Sequence, residues 1–116
     1  MDHNIYGKVG ENLACKYLKE HGYNIIHTNY RNKLGEIDII AMDGACLVFV
    51  EVKSRLTKEF GDPLEAVNMK KQQKIRRVAQ LFLMSKRAMN VECRFDVIGI
   101  TGQQDDYEIV LVKNAF

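Results

Sequence analysis

The hydrophobic and polar positions alternate with two different periods along the chain, and the changes of period mark the elements. From Val9 to His21 the period is helical. Val9, Leu13 and Tyr17 recur every four residues, as do Ala14 and Leu18, and Gly22 follows as a helix stop. Tyr23 to Tyr30, with Ile25 and Ile26, predicts a strand, and the polar run Asn29 to Gly35 a turn. Two Ile-, Val- and Phe-rich runs follow, Glu36 to Met42 and Ala45 to Ser54, joined by Asp43-Gly44. Asp-Gly between such runs predicts a hairpin. Asp62 before Pro63 predicts an N-cap with proline at the first helical position, and a long helix from Leu64 to about Lys86. Leu64, Val67, Ile75, Val78, Ala79 and Phe82 share one face of that helix. Glu92 to Ile100 and Tyr107 to Val112 read as closing strands, separated by Thr101 to Asp106. The order α-β-β-β-α-β-β implies a mixed sheet of about five strands flanked by helices, in one domain over residues 1–116.

The hairpin carries the chemistry. With Asp43-Gly44 as a two-residue loop, Ala41 opposes Cys46, Asp38 opposes Phe49 and Glu36 opposes Glu51. One face then holds Ile37, Ile39, Ala41, Cys46, Val48, Val50 and Val52 and belongs to the core. The other holds Ile40, Met42, Leu47 and Phe49 near the turn, then Glu36, Asp38, Glu51 and Lys53 further away. Like charges on neighbouring strands are destabilising unless something neutralises them. Carboxylates are the natural ligands of Mg²⁺, which keeps several waters and takes only one or two of them. A bound metal makes a nucleophile of water and stabilises charge on a phosphate, and a nearby lysine orients that water or pairs with phosphate oxygens. Two acids and a lysine on one strand pair therefore point to metal-assisted phosphodiester hydrolysis.

Charge changes the picture further along. The chain's net charge is only +2, but residues 52–90 hold ten bases and three acids, or +7, leaving −5 elsewhere. A basic block in a near-neutral protein suits a polyanion. Lys70, Lys74 and Arg77 form a stripe suited to phosphate contacts, which position a nucleic acid without reading its sequence. Arg55 follows the lysine strand. Lys71 falls inside the apolar stripe and needs a partner, either a phosphate or an active-site carboxylate.

Composition mostly excludes. The chain is 47% hydrophobic with one proline, which rules out disordered and collagen-like classes. No apolar run reaches the roughly 18 residues of a membrane span, and residues 1–10 hold no signal-peptide segment. The expectation is a soluble cytoplasmic protein. Cys15, Cys46 and Cys93 are odd in number and widely spaced, so they read as buried small side chains rather than as a zinc site or disulfide framework.

Asp38, thirteen residues, then Glu51-Val52-Lys53 resembles the PD-(D/E)XK signature of restriction-endonuclease-like nucleases, with Ile37 in place of the proline. Together with Gly7-Lys8-Val9-Gly10-Glu11, Gly22-Tyr23, Gly35-Glu36-Ile37-Asp38, Phe49 to Arg55, Phe60-Gly61 and Arg94-Phe95-Asp96-Val97, it resembles the YraN family over nearly the whole chain. These small bacterial proteins are grouped with endonucleases, and their fold is similar to that of archaeal Holliday-junction resolvases. The resemblance implies a restriction-endonuclease-like core and a Mg²⁺- or Mn²⁺-dependent nuclease acting on structured or branched DNA. It implies Asp38, Glu51 and the Val52 carbonyl as metal ligands, Lys53 as the catalytic lysine, and Glu11 as the acid of the first helix that completes the site. Glu11 itself lies about 20° beyond Leu18 on the helical wheel, at the edge of the apolar arc, where it can point at the rim of the sheet. Cutting both strands of a junction needs two active sites, so a homodimer is expected. The rival reading is a nucleic-acid-binding module whose nuclease-like site is inactive.

Overall fold

The computed structural model describes residues 3–56, 67–103 and 106–116. Within them the order is α1 (His3–Glu20), β1 (Asn24–Asn32), β2 (Gly35–Asp43), β3 (Cys46–Arg55), α2 (Met69–Ser85), β4 (Cys93–Gln103) and β5 (Asp106–Val112). The strands form one sheet in the order β1-β2-β3-β4-β5. All neighbours are antiparallel except β3 and β4, which run parallel. A parallel pair cannot be joined by a tight turn, and α2 lies within the crossover between them. The α/β class and the α-β-β-β-α-β-β order are those the hydrophobic pattern predicts.

Both sheet faces are covered. Ala14 and Leu18 of α1 pack on Ile39, Ala41, Val48, Val50, Ile98 and Ile100. Ile75, Val78, Ala79 and Phe82 of α2, with Val67, pack on Ile37, Ile40, Leu47, Phe49 and Val97. Alternate residues of β3 thus serve opposite helices, as a strand's period of two requires. The last turn of α1 closes on Gly22 at φ +88. The Gly22 amide donates to the Lys19 carbonyl and the Tyr23 amide to that of Leu18, which is the Schellman arrangement. Among the described residues no helix is long and apolar enough to cross a membrane.

Five sequence expectations change. The hairpin loop is Gly44-Ala45, with Asp43 paired to Cys46, Ala41 to Val48 and Ile40 to Phe49. The register therefore differs from the expected one by two residues. Gly44 lies at φ +61 while Ala45 stays out of the left-handed region, so glycine occupies the first position of the loop, as type II′ turns require. Ile37 packs with the α2 cluster rather than with Ile39. Helix α2 does not run back to Leu64: its N-cap is Asn68, whose side chain accepts from the Lys71 amide at 2.9 Å. Asp62, Pro63 and Leu64, like Phe60, lie outside the described residues. Strand β1 extends to Asn32, two residues past its expected end at Tyr30. The three cysteines are free, but half-buried rather than buried.

Near the hairpin turn a polar network ties the sheet together. Asp96 is fully buried, and its carboxylate accepts from Tyr23, from Arg94 at 2.8 and 2.9 Å, and from the Asn114 amide. Arg94 also reaches Asp43 at 2.9 Å and the Tyr23 hydroxyl at 2.8 Å. Removing one partner of a buried pair strands the others without solvent. Asp96→Ala is therefore expected to cost about 3–5 kcal/mol of unfolding free energy, read from the urea midpoint. A loss below about 1 kcal/mol would show that the network is not structural.

Candidate active site at the β2–β3 fork

The regular ladder between β2 and β3 runs from Asp43–Cys46 to Ile39–Val50 and stops there. Beyond it β2 stays paired with β1, through Ile37–Tyr30 and Arg31–Glu36, while β3 stays paired with β4, through Glu51–Val97 and Lys53–Gly99. The two central strands part, and Asp38 and Glu51 stand at the opening. The Asp38 carboxylate accepts a hydrogen bond from the Val52 amide at 2.8 Å. A side chain thus takes the amide just beyond the last ladder pair, and the alternation of β2 breaks on either side of it, with Ile37 and Ile39 in different clusters.

Glu51 follows Leu47 and Phe49 on the α2 face and is buried, with 8% of its surface exposed. The Lys71 ammonium, from α2, lies 3.4 Å from its Oε1, and that of Lys53, from β3, lies 3.6 Å from the same oxygen. The residue inside the apolar stripe of α2 therefore finds its partner in an acid of the fork. Glu11, on α1, is placed differently. Its Oε1 accepts from Asn29 Nδ2 at 2.6 Å, and Asp38 and Glu36 act on it only as charges. Among the described residues no three His, Cys, Asp or Glu side chains gather into a set able to hold a metal. The structure brings Asp38, Glu51, Lys53 and Lys71 together and leaves Glu11 at the rim. Glu36, expected opposite Glu51, is exposed and paired with Arg31 at 2.8 Å.

The fork's proton affinities follow from this crowding. Burial, then the charge of Asp38, pushes the Glu51 carboxyl up to about 7 against the pull of both lysines. Burial also raises Asp38, opposed by the Val52 amide and the lysines. Lys53 is lowered by burial and by its hydrogen bond with Lys71. Burial works against the proton of Lys71 too, but the bond to Lys53 and the charges of Glu51 and Asp38 outweigh it and raise its proton affinity. The arrangement favours a charged Lys71 donating toward a Lys53 that gives up its proton readily.

Two carboxylates crowded in a buried opening, with the Val52 carbonyl available nearby, form a donor set of the size Mg²⁺ takes when it keeps its waters. A divalent cation there would offset the burial that raises both acids and the charge of Asp38 that adds to it at Glu51. The remaining basic residues lie outside the fork. Lys70, Lys74 and Arg77 line a 670 Å³ groove along α2 together with Leu34. Arg55 ends β3, half-buried. Sequence reasoning missed Asn29 and Lys33. The polar run 29–35 was the available signal, but the contact of Asn29 with Glu11 joins residues 18 positions apart.

Residues 10–100 match the family described as "Uncharacterised protein family UPF0102". A UPF0102 protein of Alkaliphilus oremlandii is 51% identical over 95% of this chain and 96% of its own length. One from Caldicellulosiruptor saccharolyticus is 45% identical over the whole of both chains, and one from Desulforamulus reducens is 50% identical over 94% and 93%. Among solved structures, Pyrococcus furiosus SfsA in complex with Ca²⁺ aligns at a TM-score of 0.39 and 16% identity, over 97% of this chain and 63% of that one.

The raised Glu51 carboxyl makes stability depend on pH. Unfolded, the group titrates near its ordinary 4.5; folded, near 7. Between these values the native state holds a proton that the unfolded chain has lost, so stability falls as pH rises through the window. Glu51→Gln mimics the protonated form. It is expected to match the wild type near pH 4.5 and to exceed it at pH 8 by on the order of 2 kcal/mol, several degrees in Tm. Thermal melts at the two pH values check this; an equal difference at both would contradict it.

Proposed function

This chain belongs to the UPF0102 family, and from that premise and the chemistry of the fork we propose that it is a Mg²⁺-dependent nuclease that hydrolyses phosphodiester bonds in structured DNA. The observation that carries the reading is the convergence of Asp38 and Glu51 with the ammonium groups of Lys53 and Lys71 within 3.6 Å of one Glu51 oxygen. A purely structural ion-pair cluster has no need of a second, half-buried carboxylate beside the buried first. It pays for that repulsion in stability.

Asp38, Glu51 and the Val52 carbonyl would hold the cation, Mg²⁺ or Mn²⁺, which when bound supplies a water of lowered pKa and charge for the phosphate. The Asp38 carboxylate is held through one oxygen by the Val52 amide. Lys53, whose proton is held weakly, suits the orientation or deprotonation of the attacking water. Lys71, whose proton is held tightly, suits the phosphate oxygens on which negative charge builds. Glu11, anchored on Asn29 at the rim, fits a role in positioning waters about the site rather than direct ligation. DNA is the proposed partner, and a homodimer would present two forks to the two strands of a branched substrate.

The test is cleavage of four-way junction, flap, linear duplex and single-stranded DNA, and of RNA, with Mg²⁺ or Mn²⁺ at pH 8. The wild type is expected to cleave. Glu51→Gln and Lys53→Ala are each expected to lose at least about 10²-fold in rate, and chelator to abolish the reaction. Tight binding without any metal-dependent cleavage, unchanged in Glu51→Gln, would select the binding-module reading instead.

A further inference from the structure

We propose that the turn between β1 and β2 and the exposed side of α2 form one groove that holds the sugar–phosphate backbone of a polynucleotide strand beside the fork. This rests on the nuclease reading for its purpose, not for its evidence. The 670 Å³ groove along α2 adjoins a second, of 400 Å³, formed by the turn residues Arg31 to Glu36, and the two share Leu34 and Lys74.

The groove is built, not a chance gap between side chains. Asn32 Nδ2 donates to the Val78 carbonyl of α2 at 3.2 Å, fastening the turn to the helix. Gly35, at φ +150, lets the stem of Lys74 lie against its backbone. A Cβ there would come within 3.0 Å of Lys74 Cε and 3.2 Å of Val78 Cγ2. The turn thereby fixes where Lys74 emerges.

The charge in the groove is unanswered. Among the described residues Lys33, Lys70, Lys74 and Arg77 make no ion pair, whereas the one acid lining it, Glu36, is already matched by Arg31 at 2.8 Å. Crowded cations repel one another, and they are stabilised by a ligand with negative charge at regular intervals. Leu34, 41% exposed, offers apolar surface between them, which suits a sugar or base face better than it suits a carboxylate chain. Lys71 lines the same groove while its ammonium lies 3.4 Å from Glu51. The groove therefore ends at the fork, and a strand lying in it brings a phosphate to the carboxylates. Lys33 and Leu34 become substrate-holding residues that charge counting along α2 alone does not reveal.

The test measures binding of labelled single-stranded and duplex oligonucleotides in EDTA, so that cleavage plays no part, across a series of salt concentrations. Lys33→Ala and Arg77→Ala are each expected to weaken binding several-fold at 0.1 M salt and to lower the slope of log K against log salt by about 0.7–0.9. Lys33→Glu combined with Arg77→Glu is expected to weaken it at least tenfold, while Lys19→Glu, on the last turn of α1, leaves it unchanged. Lys19, Lys33 and Arg77 are all exposed, and circular dichroism checks folding. Wild-type affinity and slope in the double variant would overturn the groove, as would equal competition by polyglutamate of the same charge. Wild-type binding that depends on the groove but is never followed by cleavage would overturn the nuclease reading and leave the groove intact.

Discussion

The structure turns on one awkward requirement: two carboxylates, Asp38 and Glu51, must share a buried opening between strands that would otherwise continue to pair. Antiparallel strands lose little by extending a ladder, so ending this one at Ile39–Val50 has a local cost. The Asp38 carboxylate offsets part of it by accepting from the Val52 amide. Glu51 answers two lysines. Even so, burial leaves both acids harder to ionise than free carboxyls, and the charge of Asp38 adds to this at Glu51. Folding tolerates such a cluster when the rest of the domain is well satisfied. Among the described residues no buried side-chain nitrogen or oxygen lacks a partner.

The topology explains how the opening is populated from three directions. The parallel β3–β4 pair demands a crossover, and the crossover carries α2. Its apolar face, Ile75 to Phe82, seats it on the sheet, and the first turn then lies beside the parting strands with Lys71 aimed at Glu51. On the other face α1 is seated by Ala14 and Leu18, and Glu11 reaches the same edge. The Arg94–Asp96–Tyr23–Asp43 network works at the hairpin end of the sheet. There it stiffens the paired half of β2 and β3, while the other half is left free to diverge. One end of the central strands is fixed by this network, and at the other the ladder ends beside two crowded carboxylates.

Much of this was legible in the sequence because side-chain periodicity survives errors of register by two. Placing the turn at Asp43-Gly44 instead of Gly44-Ala45 shifts every pair, yet it keeps each residue on its face, so Asp38, Glu51 and Lys53 still cluster. What the shift hid was that Asp43 is released to Arg94, and that Asp38 and Glu51 stand level where the ladder stops. Ile37 could not be placed by alternation, because the alternation breaks at Asp38 next to it. Helix α2 was seen from its apolar face, but its start was not. Asn and Asp are equally good caps, so residue type does not choose between positions 62 and 68. Asn29 and Lys33 were invisible for a different reason. Their roles come from the β1–β2 turn meeting other elements, and nothing in a single strand's pattern records that meeting.

The two lysines of the fork illustrate how position rather than residue type divides chemical labour. Both are burdened by burial, and they share a hydrogen bond and one Glu51 oxygen. Lys53 arrives along β3, more enclosed, with 19% of its side chain exposed, and loses proton affinity. Lys71 arrives from α2 at the mouth, with 38% exposed, where water still helps to carry its charge and the acids attract it, and gains affinity. A proton lost from the inner amine is therefore easier to accommodate than one lost from the outer. That same outer lysine lines the basic groove along α2, so it joins that groove to the carboxylates of the fork.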